Sequence, residues 1–264
     1  MAKDTPPFSS LPLQKDGPRG NAWGLFGKND ELGMLNRPSM MILWPLIHSP
    51  RHNGMDSGIL VYFNGCKQED VHNSKRNGIH VWVENGGVVG RGVLLDYCSW
   101  AESEGKLLPA LETSSITVSD LEKVAEFQGV IFKPGDILFV RSGFVRALDE
   151  MTKDEAVEYA SLAGPPNAIG VKSCEETLKW IWEKKFSAVA GDALAFESLP
   201  FQSTTHWLHE WLLAGWGLPI GELFDLEKLA AECKHRKKWN FFFSSMPLNV
   251  PGGVASPPNG VAIL

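Results

Sequence analysis

The chain holds little cysteine: four residues in 264, Cys66, Cys98, Cys174 and Cys233, widely spaced and with no Cys-x-x-Cys pair. That excludes a disulfide scaffold and a zinc ribbon, and it fits reduced thiols in a cytoplasmic protein. No Asn-x-Ser/Thr sequon occurs, and the N-terminus MAKDTPPFSS has no hydrophobic signal core. The longest apolar run, Met40–Ile47, contains Pro45 and is far too short to span a membrane. Positive charge is not in excess. The net charge is -6, which argues against a nucleic-acid partner, and the one basic run, Lys234–Lys238, reads as a solvated helix end. Gly86, Gly87, Gly90 and Gly92 do not spell a dinucleotide loop, and a strand pattern follows them where a helix would be needed. They read instead as glycines that let backbones approach in a packed sheet. There is no Gly-x-Ser-x-Gly elbow and no zinc-peptidase HExxH or HxxEH, so neither serine hydrolysis nor that metal chemistry is indicated.

What is present is an ordinary globular composition, 44% hydrophobic and 21% charged, with ten Trp, and room for one large domain. The ten Trp point to large buried layers or an aromatic substrate pocket. Residues 1–36 read as an arm and loop. Residues 1–20 are rich in proline, glycine and charge, and 21–36 in glycine and aromatics, too little to bury much surface alone. The arm is therefore expected to pack on a partner subunit, giving a homo-oligomer. Residues 37–264 read as the main domain.

Along that domain a helix is expected over 39–48 and a short strand over 59–63. Residues 64–77 read as a loop. The alternation in His80–Glu84 predicts a half-buried strand, followed by the turn Asn85-Gly86-Gly87 and a second strand over 88–97. Thr117 with Asp120 caps a helix over 118–127 that Gly129 stops. Residues 130–132, the turn 133–136 and residues 137–141 read as a β-hairpin. Thr152 with Glu155, and Ser173 with Glu176, are capping boxes for helices over 153–162 and 174–185. A buried strand over 187–191 delivers Asp192 to its carboxyl end, where it serves either acid–base chemistry or the capping of the next turn. This order predicts an α/β protein with a central mixed sheet.

The stretch His206–Leu226, HWLHEWLLAGWGLPIGELFDL, concentrates the chemistry. On a helix over 206–214, His206, His209 and Glu210 share a face. Glu222 follows in a strand-like run after Gly215, Gly217 and Pro219. Two imidazoles and two carboxylates suit a divalent metal or general acid–base work.

Four stretches, GGVVGRGVLLDY (86–97), FKPGDILFVRSGF (132–144), SAVAGDALAFE (187–197) and LHEWLLAGWGLPIGELFDLEKLA (208–230), resemble in order and spacing the cyclase-like metal-dependent hydrolase family. That family includes kynurenine formamidases and isatin hydrolases, and the likeness is to its fungal branch. The resemblance implies a swivelling β/β/α-type domain that forms a homo-oligomer. It further implies hydrolysis of an aromatic amide or lactam by a hydroxide on a divalent metal, Zn or Mn, with His209 and Glu222 as ligands. The family's earlier ligand motif, His-x-Gly-Thr-His-x-Asp-x-x-x-His, is not matched. His48 and His52 have the right spacing, but Gly54 and Gly58 stand at the next two ligand positions; Asp56 aligns no better. Replacement ligands would have to come from His48, His52, Asp56 or His80. Two further readings stand beside the hydrolase. One is a catalytically silent member that binds a partner; the other is a metal-free cyclase or lyase using Asp192, His206 and His209.

Overall fold

The computed structural model describes residues 5–37, 51–52, 60–161 and 166–264, with residues 51, 52 and 60 described in their backbone alone. The expected helix over 39–48 and the candidates His48 and Asp56 lie outside the described residues, as does the side chain of His52.

The elements in order are β1 (Arg51–His52), β2 (Leu60–Val61), α1 (Gln68–Asn73), α2 (His80–Glu84), β3 (Val88–Asp96), α3 (Tyr97–Ser103), β4 (Ser115–Ile116) and α4 (Val118–Gln128). Then come β5 (Ile137–Arg141), α5 (Phe144–Asp149), α6 (Lys153–Ser161), β6 (Gly170–Val171), α7 (Glu175–Lys184) and β7 (Ala188–Gly191). A π-helix (Glu210–Trp216), β8 (Ile220–Gly221), α8 (Glu227–Arg236), β9 (Asn240–Ser245) and β10 (Val261–Ile263) complete the chain.

Six strands form the central sheet in the order β10-β9-β3-β5-β7-β8. β3, β5, β7 and β8 run parallel, and β9 and β10 are antiparallel to their neighbours, so the sheet is mixed as expected. β5 reads ILFVR and every residue of it is buried, the signature of a parallel strand covered on both faces. One face carries the larger core with Leu121, Leu178, Trp182, Leu212 and Trp216; the other packs Trp82, Phe139, Leu226, Cys233 and Phe243. All four cysteines are free. Among the described residues no helix is long and apolar enough to cross a membrane.

Several local expectations are corrected. His80–Glu84 is one helical turn, not a strand. Its start is fixed by a long-range contact, Ile79 N–H donating to Gly253 O, and Asn85 closes the turn locally on Val81 O. Such tertiary contacts outweigh the weak preference that alternation expresses. Residues 130–132 are not a hairpin strand, because β3 and β7 already occupy both edges of β5. The expected loop 64–77 contains α1. Ser173 does not cap α7; Cys174 is its N-cap and makes no side-chain cap bond. The Thr117–Asp120 and Thr152–Glu155 boxes form as read. Gly92 does admit a close approach, since a Cβ there would lie 2.2 Å from the Phe241 ring.

The arm packs on its own chain. Met34 N–H donates to Gly217 O, and the Trp182 indole donates to Pro6 O. The argument for a homo-oligomer from an unburied arm therefore falls away.

Candidate functional site

The site forms where the loop after β7 meets the start of the π-helix. Glu197 is the buried centre, with no exposed side-chain surface. Its Oε2 accepts the Leu208 backbone N–H and its Oε1 the His209 backbone N–H, both at 3.0 Å. These are amides that a helix start leaves without partners, and a carboxylate there also meets the positive end of the helix dipole. Glu197 Oε1 additionally lies 2.6 Å from His209 Nδ1, and Ser173 Oγ donates to Oε2. The far side of the imidazole, Nε2, lies 2.9 Å from Glu222 Oε1. Exposure rises along this row: 0% at Glu197, 18% at His209 and 36% at Glu222.

Both ring nitrogens of His209 thus face carboxylate oxygens. A carboxylate only accepts, so two such contacts call for the doubly protonated ring. Burial alone would depress the imidazole's pKa. The bonds to Glu197 and then Glu222 outweigh it and hold the group up at about 9.

The backbone that carries the two acids is strained. Phe196, just before Glu197, has φ 56°, and Leu223, just after Glu222, has φ 54°. Bulky residues rarely adopt this left-handed region, and such outliers collect at functional sites. Gly170 opens the space for the first: a Cβ there would lie 2.2 Å from the Glu197 carbonyl carbon. The second is tied back by Leu223 N–H to Ala193 O and Phe224 N–H to Gly191 O. Phe201 and Trp207 stand over the imidazole, with ring centroids 5.9 and 6.3 Å from it. Glu222 also lines a cavity of about 190 Å³ with Trp82, Phe224, Pro247 and Pro257.

The expected residues divide. His209 and Glu222 come together. His206 does not join them, because the regular winding starts only at Leu208, and helical spacing does not apply to a residue before it. Its backbone N–H is held by Ser203 Oγ, its ring tilts over Trp211, and it lines a cleft with Phe8, Arg19, Glu175 and Lys179. Asp192 uses both oxygens structurally. Oδ1 accepts from Ser142 N–H and Oγ–H, and Oδ2 accepts from Gly143 N–H, pinning the end of β5 to the end of β7. Glu197 escaped the sequence reading. Its one signal is a lone acid inside the apolar run Ala193–Leu199.

The described residues do not supply a catalytic metal site. Such a site takes about three protein ligands. Here His209 and Glu222 are two donors that bond each other, while His80 Nδ1 accepts from Gly252 N–H. No group of three or more His, Cys, Asp or Glu among the described residues is arranged to hold a metal ion.

The sheet and the sequence together define an α/β protein of cyclase type. The profile of the family described as "Putative cyclase" matches residues 65–198, half of the chain, and the chain belongs to that family. A solved structure described as a novel cyclase shares the fold, with a TM-score of 0.71 at 24% identity, over 92% of this chain and 99% of that one. Isatin hydrolase A from Labrenzia aggregata, bound to benzyl benzoate, aligns at 18% identity and TM-score 0.48, over 66% of this chain and 60% of that one. Isatin hydrolase A from Ralstonia solanacearum aligns at 16% identity and TM-score 0.49, over 66% and 59%. The chain therefore spans about 60% of these two hydrolases' length. No curated protein matches the chain.

Proposed function

We propose that the chain hydrolyses a small aromatic amide or lactam by general acid–base catalysis. The observation that carries this reading is the row Glu197–His209–Glu222, a charged imidazole held at both nitrogens, with the outer carboxylate open to solvent. Glu222 takes a proton from water as the oxygen adds to the carbonyl carbon. When the C–N bond breaks, His209 gives its Nε2 proton to the leaving nitrogen, and the proton on Glu222 returns to Nε2. The products are the carboxylic acid and the amine. Groups placed in this way contribute about 10²–10⁴-fold each. Glu197 keeps the ring in its orientation and charged state through Nδ1. Phe201 and Trp207 offer flat apolar surface for an aromatic substrate.

The family resemblance supports the hydrolase and formamidase class and a homo-oligomer as parts of this proposal; the Zn or Mn ion that it also implies finds no set of three ligands among the described residues and has no part in these steps. A second reading, a catalytically silent member, is favoured by the two-donor set. Turnover of aryl formamides and isatin-like lactams by purified chain separates the two. Elemental analysis of protein purified without chelator tests the ion, and light scattering against the 29.1 kDa chain mass tests the assembly.

A further inference from the structure

The helix that begins at His209 ends in carbonyls with no partner inside the helix, as every helix does. The N-terminal arm satisfies them. Ala214 O accepts the Trp23 indole N–H at 2.8 Å, Gly215 O accepts Ala22 N–H at 2.9 Å, and Gly217 O accepts Met34 N–H at 3.0 Å. Gly20 lies on the same helix, since a Cβ there would fall 1.9 Å from the Trp211 ring, and Gly20 O accepts the Trp216 indole. Gly33 and Gly217 touch so closely that a Cβ on Gly33 would lie 2.2 Å from Gly217 O. The arm therefore runs along the helix from Trp211, two residues past His209, to its last turn. At the other end the Glu197 carboxylate accepts Leu208 N–H and His209 N–H, and the Trp211 indole donates to Thr205 O.

We infer that the arm residues Gly20, Ala22, Trp23, Gly33 and Met34 are positioning residues for His209, holding the π-helix in the placement that sets the imidazole between Glu197 and Glu222. None of these contacts is with Glu197, His209 or Glu222; the five residues act through the helix. A π-helix is a rare winding that is frequent at functional sites, and the arm supplies contacts along much of this one's length. The inference concerns the candidate site but rests on geometry, so it survives if the proposed hydrolysis fails.

The test reads a spectroscopic signature on the full chain. The His209 Nδ1 proton, bonded to Glu197, gives a low-field resonance in the NMR spectrum. Trp23→Phe removes one N–H and keeps the ring, and Gly20→Ala presses on Trp211. Both are expected to shift the equilibrium about tenfold toward the displaced helix, the scale of one lost hydrogen bond, and so to weaken or broaden that resonance. Thr117→Ala is the control, because it removes the local cap at the start of α4 and none of the arm's bonds to the π-helix. It should lower the melting temperature and leave the resonance in place. An unchanged resonance in both arm variants overturns the inference. Should neither variant fold, hydrogen exchange of the unmodified chain decides. The amides of Ala22, Met34, Leu208 and His209 are expected to open as one unit, and arm amides that exchange about 100-fold faster than those of Leu208 and His209 overturn it.

Discussion

His209 meets Glu197 twice through one oxygen: its backbone N–H lies 3.0 Å and its ring Nδ1 2.6 Å from Oε1. The same carboxylate therefore starts the helix and aims the imidazole. Glu197→Gln keeps the size but turns an amide donor toward groups that all donate. We expect a loss of about 3 kcal/mol in urea unfolding, because the buried imidazolium loses its charged partner and one of the two backbone amides loses its acceptor. A loss under about 0.5 kcal/mol, the range of an ordinary surface change, contradicts this role.

The raised pKa of His209 makes stability depend on pH. Its folded value of about 9 stands above the ordinary 6.5, so the contribution is fully present below about 6.5. It is lost as pH rises through about 9, where the folded ring gives up its proton. Urea midpoints between pH 6 and pH 10 should fall across that window in the native chain. The fall should shrink in His209→Asn. Equal slopes in the two proteins contradict the assignment.

Leu223 holds φ 54° while the residue is 41% exposed, so little packing compensates the strain. Leu223→Gly is expected to gain about 1 kcal/mol of stability as the strain is released. Turnover should fall, because Glu222 then loses its fixed direction. A destabilised variant with unchanged turnover contradicts this reading.

His206 and Asp192 lie outside the acid–base row. His206→Ala should leave kcat/KM within about twofold, since it touches no group of the row. Asp192→Ala strands the Ser142 and Gly143 amides in the interior and should cost about 2–3 kcal/mol in thermal or urea unfolding. An activity loss in His206→Ala at unchanged stability reinstates His206 as a catalytic group.

The parts legible in the sequence were those set locally or carried by resemblance. The helix over 118–128 was visible because Thr117, Asp120 and Gly129 define both ends within the segment itself. The parallel strand Ile137–Arg141 was visible as an apolar run, but its supposed hairpin partner was not real, since pairing with distant strands decides register. His209 and Glu222 came from the family stretches. His206 misled because helical spacing holds only inside a helix, and Ser203 keeps this residue outside it. Glu197 was hidden for a different reason. It stands twelve residues before His209, and no periodicity joins a loop acid to a helix start. Gly170 and Phe196, which place it, show their role only as a backbone contact and a positive φ.

The most direct test is the initial rate on a panel of aryl formamides and aryl lactams at pH 7.5, for the native chain, His209→Asn and Glu222→Gln. The account predicts measurable turnover by the native chain and a fall of about 100-fold or more in each variant. No turnover by the native chain on any member of the panel, or native rates retained in both variants, contradicts it.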